Sequence, residues 1–261
     1  MAAHHSVDML DTCWTSIDDL LSSLPSDQWS SASLCPAWDI SGVVIHLVAV
    51  EEMLLGSPPS AFADNLPFDR VVSASEEMSG LDPDALLARF HEVTAARRAE
   101  LAALDADGFE TAVMTPVGPG TYGRFMDVRV FDHWVHEHDM RLPLGLPAHE
   151  SGPAAERAID EIEMSLPYIV GKRIGLPDAM SITFELTGPV ERLMSLRVDG
   201  RAAPIEPTTD ADVVVTCDST TFAMLACGRI DPEAPISDGS IQWAGDEQWG
   251  STAARNLRFT M

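Results

Sequence analysis

Between Val7 and Leu24 apolar residues return every third or fourth position: Met9, Leu10, Cys13, Trp14, Ile17, Leu20 and Leu21. That period marks one face of an amphipathic helix, and Pro25-Ser26-Asp27 ends it. Ser30 to Pro36 reads as a loop. Asp39 then serves as N-cap of a second helix reaching about Leu55, stopped by Gly56-Ser57-Pro58-Pro59. From there to Gly80 the pattern is irregular, with Phe62, Phe68, Val71 and Val72 expected to lie against the helices. Asp82-Pro83 starts a third helix, Asp84 to about Leu104, with Leu86, Leu87, Phe90, Val93 and Leu101 as its apolar positions. Residues 108–123, rich in Gly and Pro, read as a loop with room for a short extended piece. A fourth helix runs from about Phe125 to Arg141 and ends at Pro143-Leu144-Gly145. Four helices with long connections predict a four-helix bundle, whose core can hold a metal site.

Ser151 to about Arg173 carries another helical stripe, Ala154, Ala158, Ile162, Leu166 and Ile169, which Pro167 is expected to kink or end early. The pattern then changes. Residues 182–186, 193–198 and 213–217 are short β-branched or alternating runs between turns such as Gly188-Pro189 and Asp199-Gly200. Ser219–Ala226 and Glu247–Asn256 read as helices. The expected organisation is therefore an α+β protein of two modules: a helical bundle over residues 1–175 and a smaller α+β domain over 176–261.

The chain has 261 residues, 46% hydrophobic and 22% charged, the balance of a globular protein. Its net charge of −25, with only 16 basic residues, repels phosphate backbones, and the concentrated basic patch that nucleic acid requires does not appear in the sequence. Anionic membrane surfaces are disfavoured for the same reason. No apolar run reaches the ~18 residues of a membrane span, and the polar N-terminus carries no secretory pattern, so the expected compartment is the cytoplasm. The four cysteines, Cys13, Cys35, Cys217 and Cys227, have no Cys-x-x-Cys spacing and read as free, buried thiols.

The chemistry concentrates in Asp132-His133-Trp134-Val135-His136-Glu137-His138-Asp139, read with His46 in the apolar run 43–48. Asp132 and His136 are spaced i, i+4, one helical turn apart on one face, about 5–6 Å at Cβ. Polar groups on an apolar stripe are costly unless paired or bound to a cation. One metal ion held by His46, Asp132 and His136 would explain all three intrusions, and three protein ligands leave positions open for catalysis. Imidazole and carboxylate ligands without thiolate suit zinc, nickel, iron or manganese; zinc is preferred as a Lewis acid. A hydrogen-bonded polar network is the competing reading. Asp139 is placed to orient an imidazole. Arg141, at the helix end, is a candidate for a substrate carboxylate. His133, Glu137 and His138 fall on other faces and are expected to be solvated or to touch loops. Dinucleotide, phosphate-loop, serine-hydrolase and zinc-protease motifs are absent.

Cys35-Pro36-Ala37-Trp38-Asp39-Ile40 followed by Val44-Ile45-His46-Leu47 resembles the first signature of the mycothiol-dependent maleylpyruvate isomerase family, within the DinB-like metal-binding bundles. Residues 132–141 resemble its second signature, and the likeness spans about residues 5–145. Residues 211–216, 222–229 and 239–246 resemble the sterol-carrier-like module often joined to such bundles. The resemblance implies a divalent metal, usually zinc, on His46, Asp132 and His136. It also implies a low-molecular-weight thiol cosubstrate (mycothiol in actinobacteria) and a small electrophilic substrate. Isomerase or S-transferase activity, in a monomer or homodimer, is the expectation. The chain departs from the pattern at Ala37, where Gly is usual, and at Asp132, where the isomerase type has Glu. A metal-containing carrier of small molecules or lipids, or a scaffold protein, would share the same bundle.

Overall fold

The N-terminal stripe forms α1 (His5–Ser23). A 3-10 turn at Ser26–Ser30 and an irregular stretch lead to α2 (Ile40–Leu54), capped by Asp39, whose carboxylate accepts from the Gly42 N–H at 2.8 Å. This computed structural model describes residues 4–259. After a second 3-10 turn at Pro59–Phe62 come α3 (Phe68–Met78) and α4 (Pro83–Ala103). Asp82 caps α4, with Pro83 in the first turn where its missing N–H is harmless. The short α5 (Ala106–Phe109) precedes a hairpin of β1 (Ala112–Thr115) and β2 (Gly118–Thr121), then α6 (Tyr122–Arg141).

Helices α1 and α2 each pack on both α4 and α6, which closes the expected four-helix bundle. Its core includes Leu10, Trp14 and Ile17 of α1, Val43, Val44 and Leu47 of α2, Phe90 and Val93 of α4, and Phe125 and Val130 of α6. Two expectations for 57–80 are corrected. The segment is not irregular throughout, because α3 fills nearly half of it and lies on α2. Only Phe62 is buried there as expected; Phe68 and Val72 are more than half exposed. Helix α3 buries only Ala74 and Met78, too sparse a stripe to announce a helix.

Helix α6 is the central element. Sixteen of its twenty residues are buried, including charged ones. It has no solvent face because α1, α2 and the β-hairpin all pack on it.

The first compact unit ends at His149 and the second begins at Glu150. This corrects the boundary expected at 175. Helix α7 (Pro153–Tyr168) carries Pro167 near its end and runs into a π-helical turn, Ile169–Ile174, stopped by Gly175 at φ 71°. Its buried stripe packs on the sheet and α8 of the second unit. Periodicity shows that a helix has an apolar face, not which partner covers it.

The sheet has the order β5-β4-β3-β6-β7, with β3 (Ser181–Thr187), β4 (Arg192–Asp199), β5 (Arg201–Ile205), β6 (Val213–Asp218) and β7 (Ile241–Gly245). Only β3 and β6 pair in parallel. Strand β5 holds Pro204, tolerated because it is an edge strand. Helices α8 (Ser219–Ala226), α9 (Glu233–Asp238) and α10 (Glu247–Arg255) complete the unit. Among the described residues no helix is long and apolar enough to cross a membrane.

Candidate metal centre

Helix α2 contributes His46, and α6 contributes Asp132 and His136 one turn apart. The Nε2 atom of His46 lies 3.4 Å from Asp132 Oδ2, and His136 Nε2 lies 3.5 Å from Asp132 Oδ1. All three ligand atoms fall within 4.8 Å of one another. Metal–ligand bonds of about 2.0–2.1 Å at tetrahedral angles would set ligand atoms roughly 3.3–3.4 Å apart. Buried His46 Nε2 has no hydrogen-bond partner among the described residues. An orphaned ring nitrogen facing a carboxylate and a second ring nitrogen suits a divalent ion bound by nitrogen and oxygen.

The surroundings orient these groups. Asp139 Oδ2 accepts from His136 Nδ1 at 2.8 Å, which fixes a proton on Nδ1 and turns Nε2 toward Asp132 and His46. The backbone N–H of Leu34 donates to the Asp139 carbonyl at 3.0 Å, laying the 31–39 loop on α6. That docking puts the Cys35 thiol 3.1 Å from Asp139 Oδ2. Trp38 stacks on His46 at 5.0 Å between centroids and also faces His136 at 6.0 Å. Gly42 makes room for it, since a Cβ there would stand 3.0 Å from Trp38 Cβ.

The charges favour a cation. Burial opposes a charge on His136, but the Asp132 carboxylate and hydrogen bonds to Asp139 and Cys35 outweigh it and hold its pKa well above the usual imidazole value. Burial likewise opposes ionisation of Asp132, yet the Arg129 guanidinium, then His46 and His136, hold its carboxyl well below the usual range.

Sequence reasoning located His46, Asp132, His136 and Asp139, and the structure brings all four together. Arg141 lies elsewhere: its Nε donates to Glu137 at 2.8 Å and its Nη2 to the Ser16 carbonyl at 2.7 Å. It lines a separate cavity of about 530 Å³ with Thr12, Ser16, Glu137 and His149. His133, Glu137 and His138 are fully buried, not solvated, because α6 is enclosed on every side. Cys35, Asp139 and His136 form a second close group, but its atoms already hydrogen-bond one another.

The unforeseen part is a buried ion network. Glu51 of α2 accepts from Arg129 Nε at 2.9 Å and from Arg97 Nε at 3.0 Å. Arg97 also donates to Tyr122 Oη at 3.0 Å and to Glu100 at 2.8 Å. Arg129 continues to Asp132. Burial pushes the Glu51 carboxyl up, but Arg129 and Arg97 outweigh it and bring it down to about 2. His133 accepts from Trp14 Nε1 at 3.0 Å and, through Nδ1, meets the Arg129 carbonyl at 2.8 Å. Burial, then Arg129, pushes its pKa down to about 4, so it is neutral.

Comparison with known proteins agrees with this architecture. The mycothiol maleylpyruvate isomerase N-terminal domain matches residues 10–141, and the MDMPI C-terminal domain matches residues 156–252. The crystal structure of the mycothiol-dependent maleylpyruvate isomerase is similar over 88% of this chain and 93% of its own, with TM-score 0.60 and 18% identity. A histidine-to-alanine mutant of that isomerase matches over 99% and 100%, with TM-score 0.64 and 16% identity. At these identities the structural likeness shows the fold. None of the curated proteins matches the chain. The two domain matches, the first covering half of the sequence, place the chain in the mycothiol maleylpyruvate isomerase family.

Proposed function

We propose that this chain is a divalent-metal-dependent and thiol-dependent isomerase acting on a small electrophilic alkene. The observation that carries the reading is the His46 Nε2 atom, which has no hydrogen bond among the described residues, faces Asp132 and lies close to His136 at ligand spacing. Zinc is the first assignment, on His46 Nε2, His136 Nε2 and the Asp132 carboxylate, with nickel as the nearest substitute. Such an ion would supply a fixed positive charge that favours the thiolate form of a cosubstrate. Family membership supports mycothiol as the thiol and maleylpyruvate as the model substrate. Asp132 in place of the isomerase's Glu supports a different electrophile of the same class.

The residues divide the remaining work. Asp139 holds His136 in the Nδ1–H tautomer. Trp38 stacks its apolar face on the His46 imidazole and lies tilted against that of His136. The reaction needs no redox partner. The thiol S–H bond breaks and its proton leaves to water. The sulfur forms a bond to one alkene carbon while the π pair moves onto the conjugated carbonyl. Rotation about the resulting single bond and return of the electron pair expel the thiolate. Protonation and release of the adduct would instead make an S-transferase.

The test is metal content of protein purified without a metal-affinity tag, followed by thiol-dependent cis–trans turnover of a conjugated cis-enone acid. About one divalent ion per chain, absent from His46→Ala, together with turnover that needs the thiol, is the expected result. Wild type that takes up neither zinc nor nickel would overturn the assignment and leave a buried polar network in a binding protein.

A further inference from the structure

We infer that Arg129, anchored by Glu51, is a positioning residue that fixes which Asp132 oxygen is offered to a metal ion. The inference rests on the metal reading above. Arg129 Nη1 donates to Asp132 Oδ2 at 2.5 Å, one turn away on α6. Its Nε donates to Glu51 Oε1 at 2.9 Å. A guanidinium is planar and rigid, so fixing one edge sets the direction of the other. Glu51 is itself fixed, because its second oxygen takes Arg97, which Tyr122 and Glu100 hold in turn. A line of buried ionic contacts thus runs from α4 through α2 to α6 and stops at Asp132.

The Asp132 carboxylate has two equivalent oxygens, and a donor fixed on one of them sets its rotation. Here Arg129 Nη1 and His46 Nε2 both meet Oδ2, and Oδ1, which faces His136 Nε2, is the oxygen left without a donor from Arg129. Orientation and charge predict opposite results. A guanidinium so close repels a divalent ion, so if charge alone counted, removing Arg129 would tighten metal binding. If Arg129 positions the ligand, removing it loosens binding.

The experiment measures zinc affinity of the metal-free protein against a competing chelator, and records the visible spectrum of the cobalt form. The proteins are wild type, Arg129→Met, Arg129→Lys, Asp132→Ala and the Arg129→Met/Asp132→Ala double variant. Arg129→Met is expected to weaken zinc binding about ten- to a hundredfold, the usual effect of losing a group that orients a ligand. Arg129→Lys, which keeps the charge but not the rigid fork, should recover part of the loss and shift the cobalt bands. In the Asp132→Ala background Arg129→Met should change nothing. Thermal unfolding of the metal-free variants separates lost affinity from lost fold, and Arg129→Lys serves alone if Arg129→Met does not fold. Equal or tighter zinc binding by the Arg129 variants, or a loss that persists without Asp132, overturns the inference and leaves the metal reading intact. Wild type that binds no zinc overturns both.

Discussion

A buried polar atom without a partner costs about 1–3 kcal/mol, and His46 Nε2 is such an atom. Replacing His46 by Ala removes that cost together with its stacking on Trp38, so metal-free His46→Ala should unfold within a few degrees of metal-free wild type. Added zinc should raise the melting temperature of wild type, since a ligand that binds only the native state stabilises it, and leave His46→Ala unmoved. Equal zinc stabilisation of both would remove His46 from the site. Glu51 gives a second test through acid. Its folded pKa of about 2 lies below its ordinary value of about 4.3. The unfolded chain therefore binds more protons between those values, so stability rises with pH across that window and is lost as the pH drops through it. The contribution is complete above about pH 4.5 and amounts to ~3 kcal/mol at most. Denaturant titrations at a series of pH values should show this slope in wild type and lose it in Glu51→Gln. At neutral pH the same variant should cost about 3–5 kcal/mol, because two buried arginines lose their shared carboxylate. A parallel acid slope in both proteins would assign it elsewhere. His46, Asp132 and His136 were legible in the sequence because His46 interrupts the apolar run 43–48 and Asp132 and His136 stand one helical turn apart. Glu51 was not: Glu51-Glu52 near a helix end reads as solvated, and its partners Arg97 and Arg129 are 46 and 78 residues away.

Between helices, α6 shows where periodicity runs out. Its apolar and polar residues do not separate into two faces, because every face is covered and its polar groups are paired inside the bundle. The contact with α1 is a clear case. Trp14 donates its indole N–H to His133 Nε2, which fixes the imidazole proton on Nδ1, directed at the Arg129 carbonyl. Trp14→Phe keeps most of the apolar volume and strands the nitrogen. We expect a loss of about 1–3 kcal/mol in denaturant unfolding. We also expect His133 to titrate closer to its ordinary value, followed by NMR of the ring. Unchanged stability would mean that the indole hydrogen bond contributes nothing net. In the second unit, β3, β4 and β6 were readable from alternating or β-branched runs. Strand β5 was not, because Arg201-Ala202-Ala203-Pro204-Ile205 has neither alternation nor strand composition; its pairing with β4 makes it a strand.

At the scale of the whole chain, the informative error is the boundary. Residues 153–168 were grouped with the bundle because they are helical, yet their apolar side chains serve the sheet. Ile159, Ile162 and Leu166 of α7 are at most 1% exposed. Burying such side chains contributes about 1.5–3 kcal/mol each. Deleting α7 therefore removes roughly 5–9 kcal/mol, comparable with the entire ~5–15 kcal/mol that holds a domain folded. Arg192, which reaches Asp160 at 2.7 Å and Glu163 at 3.0 Å, would lose its partners as well, a smaller effect at a half-exposed site. A fragment beginning at Glu150 should thus unfold in one cooperative thermal transition and give dispersed amide resonances. A fragment beginning at Leu176 should retain some strand signal by far-ultraviolet dichroism but lose the transition and the dispersion, as when secondary structure outlasts packing. If the shorter fragment melts as cooperatively as the longer one, α7 is dispensable to the sheet, and the division at His149 has no energetic meaning.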